Sequence, residues 1–274
     1  MAELGIVDIR EINKVIKSQF NYDFSNHALT SYKHRLERIM EIHNIGSAEG
    51  FIRKIREDNN FFDLFLFDIS VPSTEMFRDP SLWRWLREDF IANHIDKVSG
   101  KLRIWLPACV SGAELSSLVI LLSEAEVLEK VQIIATSISE KCLSIIKDGV
   151  YDLKKLEVSQ ENYKRFNGQK DLSAYYRYER DYIVRNKALT AEVEFRKTGI
   201  NFENAPQNVK LILFRNNMIY ANPSRQEFLL QTMYRALSVA GYIALGVRER
   251  ITGISYARDF DAVNEAEGIY RKKI

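Results

Sequence analysis

The segment 101–117, KLRIWLPACVSGAELSS, constrains the fold more than any other, because it reads as a buried strand turning abruptly into a helix. Leu102, Ile104, Trp105 and Leu106 form a short apolar run of β-favouring character, bounded by Gly100 before and Pro107 after. Small residues crowd the turn (Ala108, Cys109, Ser111, Gly112, Ala113), and an apolar helix begins near Glu114. A turn of this kind lets a ligand approach the backbone closely at a helix N-terminus. In open α/β sheets the crevice at the carboxyl end of a strand is where ligands sit. Taken alone, the segment is equally an ordinary strand–helix connection, so the rest of the chain has to decide.

From residue 101 onward, strand and helix patterns alternate. Strands are predicted at 102–106, 131–136, 209–214 and 241–246, and helices near 114–129, 140–147 and 225–238. That alternation predicts a mostly parallel sheet covered on both faces. Residues 150–195, rich in Tyr and charge (AYYRYERDYIV), interrupt it with period-2 stretches that predict a small antiparallel β insertion. The first 75 or so residues show helical periodicity instead. Ile9, Ile12 and Ile16 mark one apolar face; Leu29, Tyr32, Leu36 and Ile39 mark another, with Lys33, Arg35 and Arg38 around it. Phe51, Ile55 and the run FFDLFLFDI at 61–69 complete a helical bundle. Asp79-Pro80 predicts a helix start, with Asp as N-cap and Leu82, Trp85, Leu86 and Phe90 as the buried stripe. The expected domains are therefore a helical one over 1–75 and an α/β one over 76–274.

Composition removes several function classes. Thirty-nine Lys and Arg against thirty-seven Asp and Glu leave a net charge of +2, so no global field points to nucleic acid. The longest apolar runs, such as LVILL at 118–122, are too short for membrane insertion, and the N-terminus lacks the apolar core of a secretory signal. Cys109 and Cys142 form no CxxC pair, which predicts a reduced, cytoplasmic chain. His27, His34, His43 and His94 lack metal-ligand spacing, so no metal is expected. The loop after 102–106 has neither GxGxxG nor GK[ST], which disfavours a diphosphate and favours a ligand such as S-adenosylmethionine.

Five motifs now fall in order. STEMFRDP at 73–80 resembles a T-x-F-F-R-D/E motif, and RIWLPACVSGAELSSL resembles R-x-W-S-A-x-C-S-T-G-E-E-P-Y-S. IIATSIS at 133–139 is similar to A-T-D-I-S/D, LFRNNMIYA at 213–221 to C-R-N-V-x-I-Y-F, and GYIALGVRE at 241–249 to G-G-Y-L-x-L-G-x-S-E. IYRKK at 269–273 fits the same family's usual end. Together these resemble the CheR-type chemotaxis receptor glutamate methyltransferases, across nearly the whole chain. The resemblance implies a class I S-adenosylmethionine methyltransferase with a Rossmann-like sheet and a small β insertion, preceded by a receptor-facing helical domain. It implies that Thr74 and Arg78 lie over the cofactor and the incoming carboxylate. Ala108 would offer its backbone, and Glu114 would hold the methionine ammonium. Asn201, Phe202, Asn216 and Asn217 would contact the adenine and methionine ends, with Tyr220 near the methyl group. S-adenosylhomocysteine would be the product, and the partner a chemoreceptor-like acidic helical protein.

The chain also departs from that pattern. Ser137 stands where the family has the Asp that receives the ribose hydroxyls; Ala113, Leu115-Ser116, Pro72, Met76 and Arg248 are further departures. Loss of a charged acceptor costs about 1.5–3 kcal/mol of affinity. A second expectation therefore stands beside the enzyme: a weakened pseudo-methyltransferase serving as a binding or regulatory module. A third is a related methyltransferase acting on another acidic substrate.

Overall fold

A computed structural model describes residues 3–70, 75–97, 99–251, 253 and 255–274. Four helices, α1 (Ile6–Phe20), α2 (Leu29–Ile42), α3 (Ala48–Glu57) and α4 (Asn59–Ile69), close around one apolar core. The stripes expected from periodicity are buried: Ile9, Ile12 and Ile16 on α1, and Tyr32, Leu36 and Ile39 on α2. Leu29 is the exception, about half exposed, because it is the first residue of α2 and lies ahead of the packed turns.

The Asp79–Pro80 pair opens α5 (Pro80–Trp85), with Pro80 at a first-turn position that needs no amide hydrogen. Asp79 does not cap it, contrary to expectation. Its backbone is left-handed (φ 55°) and its carboxylate is drawn away to Arg215. The helix runs on through a π-helical stretch (Leu86–Ile91) into α6 (Ala92–His94). Of its two tryptophans Trp83 is the buried one and Trp85 only partly so, and the Trp83 indole Nε1 donates to the Arg78 carbonyl at 2.9 Å.

The main sheet has seven strands in the order β6-β2-β1-β7-β8-β10-β9. These are β1 (Leu102–Leu106), β2 (Val131–Ser137), β6 (Glu194–Lys197), β7 (Val209–Leu213), β8 (Leu237–Ala244), β9 (Phe260–Asn264) and β10 (Ile269–Lys272). The first five in spatial order run parallel, whereas β10 runs antiparallel to both neighbours. Alternation along β1 sends Leu102, Ile104 and Leu106 into one core and Trp105 into the other, so both faces are covered. Helices α7 (Ala113–Glu124), α8 (Glu140–Asp148) and α10 (Pro223–Ala236) make connections between these strands. α7 stops short of the predicted 129 because Glu126 adopts a left-handed backbone (φ 57°).

Within 150–195 lies a separate three-stranded antiparallel sheet, β3 (Val150–Asp152), β5 (Tyr182–Arg185) and β4 (Tyr176–Glu179). The same stretch also holds helix α9 (Leu156–Phe166), and its end hands β6 to the main sheet. β6 reads EFRK, without the apolar run that would have marked a strand in the sequence. Among the described residues no helix is long and apolar enough to cross a membrane.

The chain leaves β1 for β2 on one side and returns as β7 on the other, so the strand order reverses between β1 and β7. The carboxyl ends of these strands therefore part to form a crevice, as expected for a doubly wound sheet.

Candidate active site

Two adjoining cavities occupy that crevice, of about 130 and 380 Å³. Ala108, Cys109, Val110, Asn217 and Tyr220 line both, which makes them one continuous cleft. The smaller cavity runs beneath the helical domain, between Ser137, Phe202 and Arg225; the larger runs from Glu114 to Arg78 and Arg215.

The floor is set by the tips of β1 and β2. Trp105 Nε1 donates to Thr136 Oγ1 at 3.1 Å, and that hydroxyl donates to the Pro107 carbonyl at 2.7 Å. The Cys109 amide donates to the Thr136 carbonyl at 2.9 Å, locking the turn against the neighbouring strand. Gly112 then enters α7 with φ +75°, and a Cβ there would come within 3.3 Å of the Ile146 backbone. The turn therefore needs glycine twice over, for its φ and for its packing.

Arg78 is delivered by a strained segment. Phe77 and Asp79 both have positive φ, at 52° and 55°. Non-glycine residues hold such conformations only where their surroundings over-determine them. Here the Phe77 amide donates to Ser117 Oγ at 2.7 Å and the Met76 amide to Ser159 Oγ at 3.0 Å, both buried. The Arg78 side chain is partly exposed, with Nε 3.6 Å from Glu75 Oε1.

Arg215, only 3% exposed at its side chain, organises the larger cavity. It pairs with Asp79, donates from Nη1 to Glu114 Oε1 at 3.2 Å, and donates to the Arg78 carbonyl at 3.2 Å. Burial pushes the Glu114 carboxyl above the usual range, and Arg215 opposes that shift. Opposite it, the buried Glu249 accepts from the amides of Asn216 (2.8 Å), Ile219 (3.0 Å) and Gly246 (2.7 Å). One carboxylate thus ties the loop after β7, which carries Asn216, Asn217 and Tyr220, to the loop after β8. A Cβ on Gly246 would come within 2.5 Å of Asn216 Oδ1, so this approach too requires glycine.

The smaller cavity has a different character. Ser137, at the tip of β2, is buried, its hydroxyl within hydrogen-bonding reach of the Cys142 thiol. Phe202 packs edge-on against Trp105 and Phe214. Asn201 Oδ1 accepts from Arg225 Nη1 at 2.6 Å, and Asn201 is not part of the cavity wall. The helical domain supplies the roof: the Ala28 amide donates to the Tyr220 carbonyl at 3.0 Å, and His27 bridges to Ala221. Burial, with Arg225 and Arg35 beside it, pushes His27 down to about 4.

The three basic residues of α2 do not share a face. Lys33 lies 3.6 Å from Glu37 and Arg38 is exposed, but Arg35 turns inward, its guanidinium 4.3 Å above the Tyr220 ring. The basic helix face expected from sequence is therefore split: Lys33, two residues from Arg35, points elsewhere on the helix, and Arg35, unlike the exposed Arg38, is drawn onto the Tyr220 ring.

Of the residues singled out from sequence, the structure brings Arg78, Ala108, Glu114, Ser137, Phe202, Asn216, Asn217 and Tyr220 to the cleft wall. Thr74 and Pro72 lie outside the described residues. Arg215, Glu249, Asp79, Arg35, Arg225 and His27 were not singled out as site residues. The first three sat inside matched motifs and could have been read there; Arg225 and His27 carried no sequence signal, because only the fold brings them to the cleft.

The sequence matches the family model described as CheR methyltransferase, SAM binding domain, over residues 72–268. It matches CheR methyltransferase, all-alpha domain, over residues 7–70. Among individual proteins it is 26% identical over 266 residues to one named "Putative methyltransferase Cher3" from Pseudomonas putida, covering 97% of each chain. It is 23% identical to a chemotaxis protein methyltransferase of Listeria innocua, covering 89% of this chain and 90% of that one. It is 26% identical to chemotaxis protein methyltransferase 1 of Pseudomonas aeruginosa, covering 80% of this chain and 81% of that one.

Proposed function

The chain belongs to the CheR methyltransferase family and is an S-adenosylmethionine-dependent methyltransferase by that membership; from this premise we propose that it methylates glutamate side chains of a chemoreceptor-like, acidic helical protein. The observation that carries the reading is the continuous cleft at the ends of β1, β2 and β7, with Glu114 at one end and Tyr220 at the junction of its two cavities.

The larger cavity fits the methionine end of the cofactor. Glu114 would hold the ammonium through its second oxygen, with Asn216, Asn217 and the Ala108 backbone around it. Apolar Phe202 and Ile138 would flank the base. The ribose position lacks the family's acid, since Ser137 stands there. When bound, the cofactor supplies an electrophilic methyl group.

A substrate glutamate is already ionised near neutral pH, so no general base is required. The chain's task is positioning and control of water. Arg78, partly exposed at the cleft mouth, would orient the incoming carboxylate by charge-assisted hydrogen bonds. Tyr220 would border the methyl position while α2 and Ala28 hold its backbone and ring in place.

The experiment is transfer of labelled methyl from S-adenosylmethionine to an acidic helical receptor fragment. Label released as methanol by mild base supports a glutamyl ester. Label stable to base would overturn the carboxylate assignment.

A second reading, the binding module, is favoured by two specific observations. Arg215 already occupies part of Glu114, and Ser137 offers no charge to the ribose. Tight binding of S-adenosylhomocysteine without methyl transfer to any acidic substrate tested would favour it.

A further inference from the structure

Among the described residues, the larger cavity carries a charge at its rim that the chain does not answer. Three arginines line it, Arg78, Arg215 and Arg248, against two carboxylates, Asp79 and Glu114. Arg215 engages both carboxylates. Arg78 has Glu75 Oε1 3.6 Å from its Nε. Arg248 is exposed, with neither an ion pair nor a side-chain hydrogen bond among the described residues.

The backbone under Arg248 is nevertheless held firmly. It lies in the turn after β8, where the Glu249 amide donates to the Gly246 carbonyl at 2.8 Å. The Glu249 carboxylate accepts from the amides of Gly246, Asn216 and Ile219, which ties this turn to the loop carrying Asn216, Asn217 and Tyr220. Arg250 folds back, its Nη1 donating to the Val247 and Glu249 carbonyls at 2.7 and 2.9 Å. The turn is braced on both sides of Arg248, and only that guanidinium is left over. The motif matched here reads G-x-S-E, whereas this chain reads Gly246-Val247-Arg248-Glu249, so the charge is this chain's own departure.

A guanidinium at a cleft mouth suits a carboxylate, which it can grip with two parallel hydrogen bonds. Arg78 is assigned to the acceptor glutamate, which leaves Arg248 for a second anion. On a helix, residues three or four apart stand side by side, about 5–6 Å between Cβ atoms, whereas residues two apart do not face each other. We propose that Arg248 is a specificity-determining residue that reads a second carboxylate one helical turn from the acceptor glutamate. This rests on the acidic helical substrate proposed above and narrows it to helices with acids at that spacing.

Titration calorimetry of the S-adenosylhomocysteine-loaded chain with two helical fragments tests it. One carries Glu four residues to either side of the acceptor Glu; its twin, equal in net charge, carries them two residues to either side. The first should bind about three- to fivefold tighter, the size that exposed ion pairs reach. Arg248→Ser should bring the two within about twofold, Arg248→Lys should keep part of the preference, and high salt should shrink it. Equal binding by the parent overturns the proposal, as does a preference that survives Arg248→Ser. A several-fold loss of S-adenosylhomocysteine affinity in Arg248→Ser places the guanidinium on the cofactor and also overturns it. Methyl transfer reports separately. A spacing preference in binding with no transfer to either fragment removes the methylation reading and leaves the preference standing. Transfer to both fragments with no spacing preference in binding or KM removes this proposal and leaves that reading. Failure of both fragments to bind removes both.

Discussion

Arg215 Nη1 donates to Glu114 Oε1 at 3.2 Å, so the carboxylate predicted to receive a ligand ammonium is already half engaged by an internal cation. The same guanidinium also holds Asp79 and the Arg78 carbonyl. One buried arginine thereby links the end of β7, the start of α7 and the segment that presents Arg78. A ligand ammonium would share Glu114 rather than find it vacant, and the balance of that sharing sets the affinity.

Glu114→Gln should weaken S-adenosylhomocysteine binding at least about tenfold by titration calorimetry. It should also lower the melting temperature, because Arg215 loses one of its two carboxylates at a cost of about 1–3 kcal/mol. Ammonium binding needs the ionised carboxylate, and burial holds the Glu114 carboxyl above the usual range. Cofactor affinity should therefore fall on acidification earlier than an ordinary carboxylate would dictate. Affinity independent of pH across the acid range would remove Glu114 from the ligand contacts.

Ser137→Asp should tighten S-adenosylhomocysteine by up to about tenfold, because ribose hydroxyls gain a charged acceptor. Titration calorimetry on the two proteins checks it, and an unchanged affinity would mean that Ser137 does not face the ribose.

Asp63 on α4 reaches the N-terminus of α8 and accepts from the Glu140 and Lys141 amides at 2.9 and 3.1 Å. Burial raises its pKa, but those amides, Ser139 and Lys197 lower it further, so the net shift is downward. A depressed folded-state value means stability that is fully present above the unfolded value and lost as pH falls through the folded one. Melting curves from neutral to acid pH should show the loss, and Asp63→Asn should lower the neutral plateau by about 1 kcal/mol while flattening the acid limb. An unchanged acid limb in the variant would assign it to other carboxylates.

Arg35 and Arg38 should separate experimentally. Arg38→Glu, at an exposed position, should slow association with an acidic helical partner at low salt, the effect fading as salt screens it. Arg35→Glu should change ligand binding in the cleft, because its guanidinium lies 4.3 Å above the Tyr220 ring. Stopped-flow association and calorimetry read the two effects; identical behaviour of the two variants would contradict the split face.

Glu249→Ala should destabilise the protein by at least about 2 kcal/mol, since three backbone amides lose a buried charged acceptor. Cofactor affinity should fall with it, because Asn216 and Tyr220 ride on the released loop. Unfolding midpoints that match the parent would show that water replaces the carboxylate.

The sequence by itself determined the alternating strands and helices, and with them the crevice. Residues 102–106 form β1 and their alternation fills both cores, because apolar periodicity is a local property written into consecutive residues. The helical bundle was legible for the same reason, down to Ile9, Ile12 and Ile16. β6 was not, since its charged residues are held in the sheet by the neighbouring β2 rather than by their own pattern. Only the tertiary structure decided the charge of the cleft. Asp79 reads locally as a helix cap and Arg35 as a solvated face, yet Arg215 claims the first and the Tyr220 ring the second. Such pairings join residues more than a hundred positions apart. They depend on which side chains the packed layers bring together, and no local spacing encodes that.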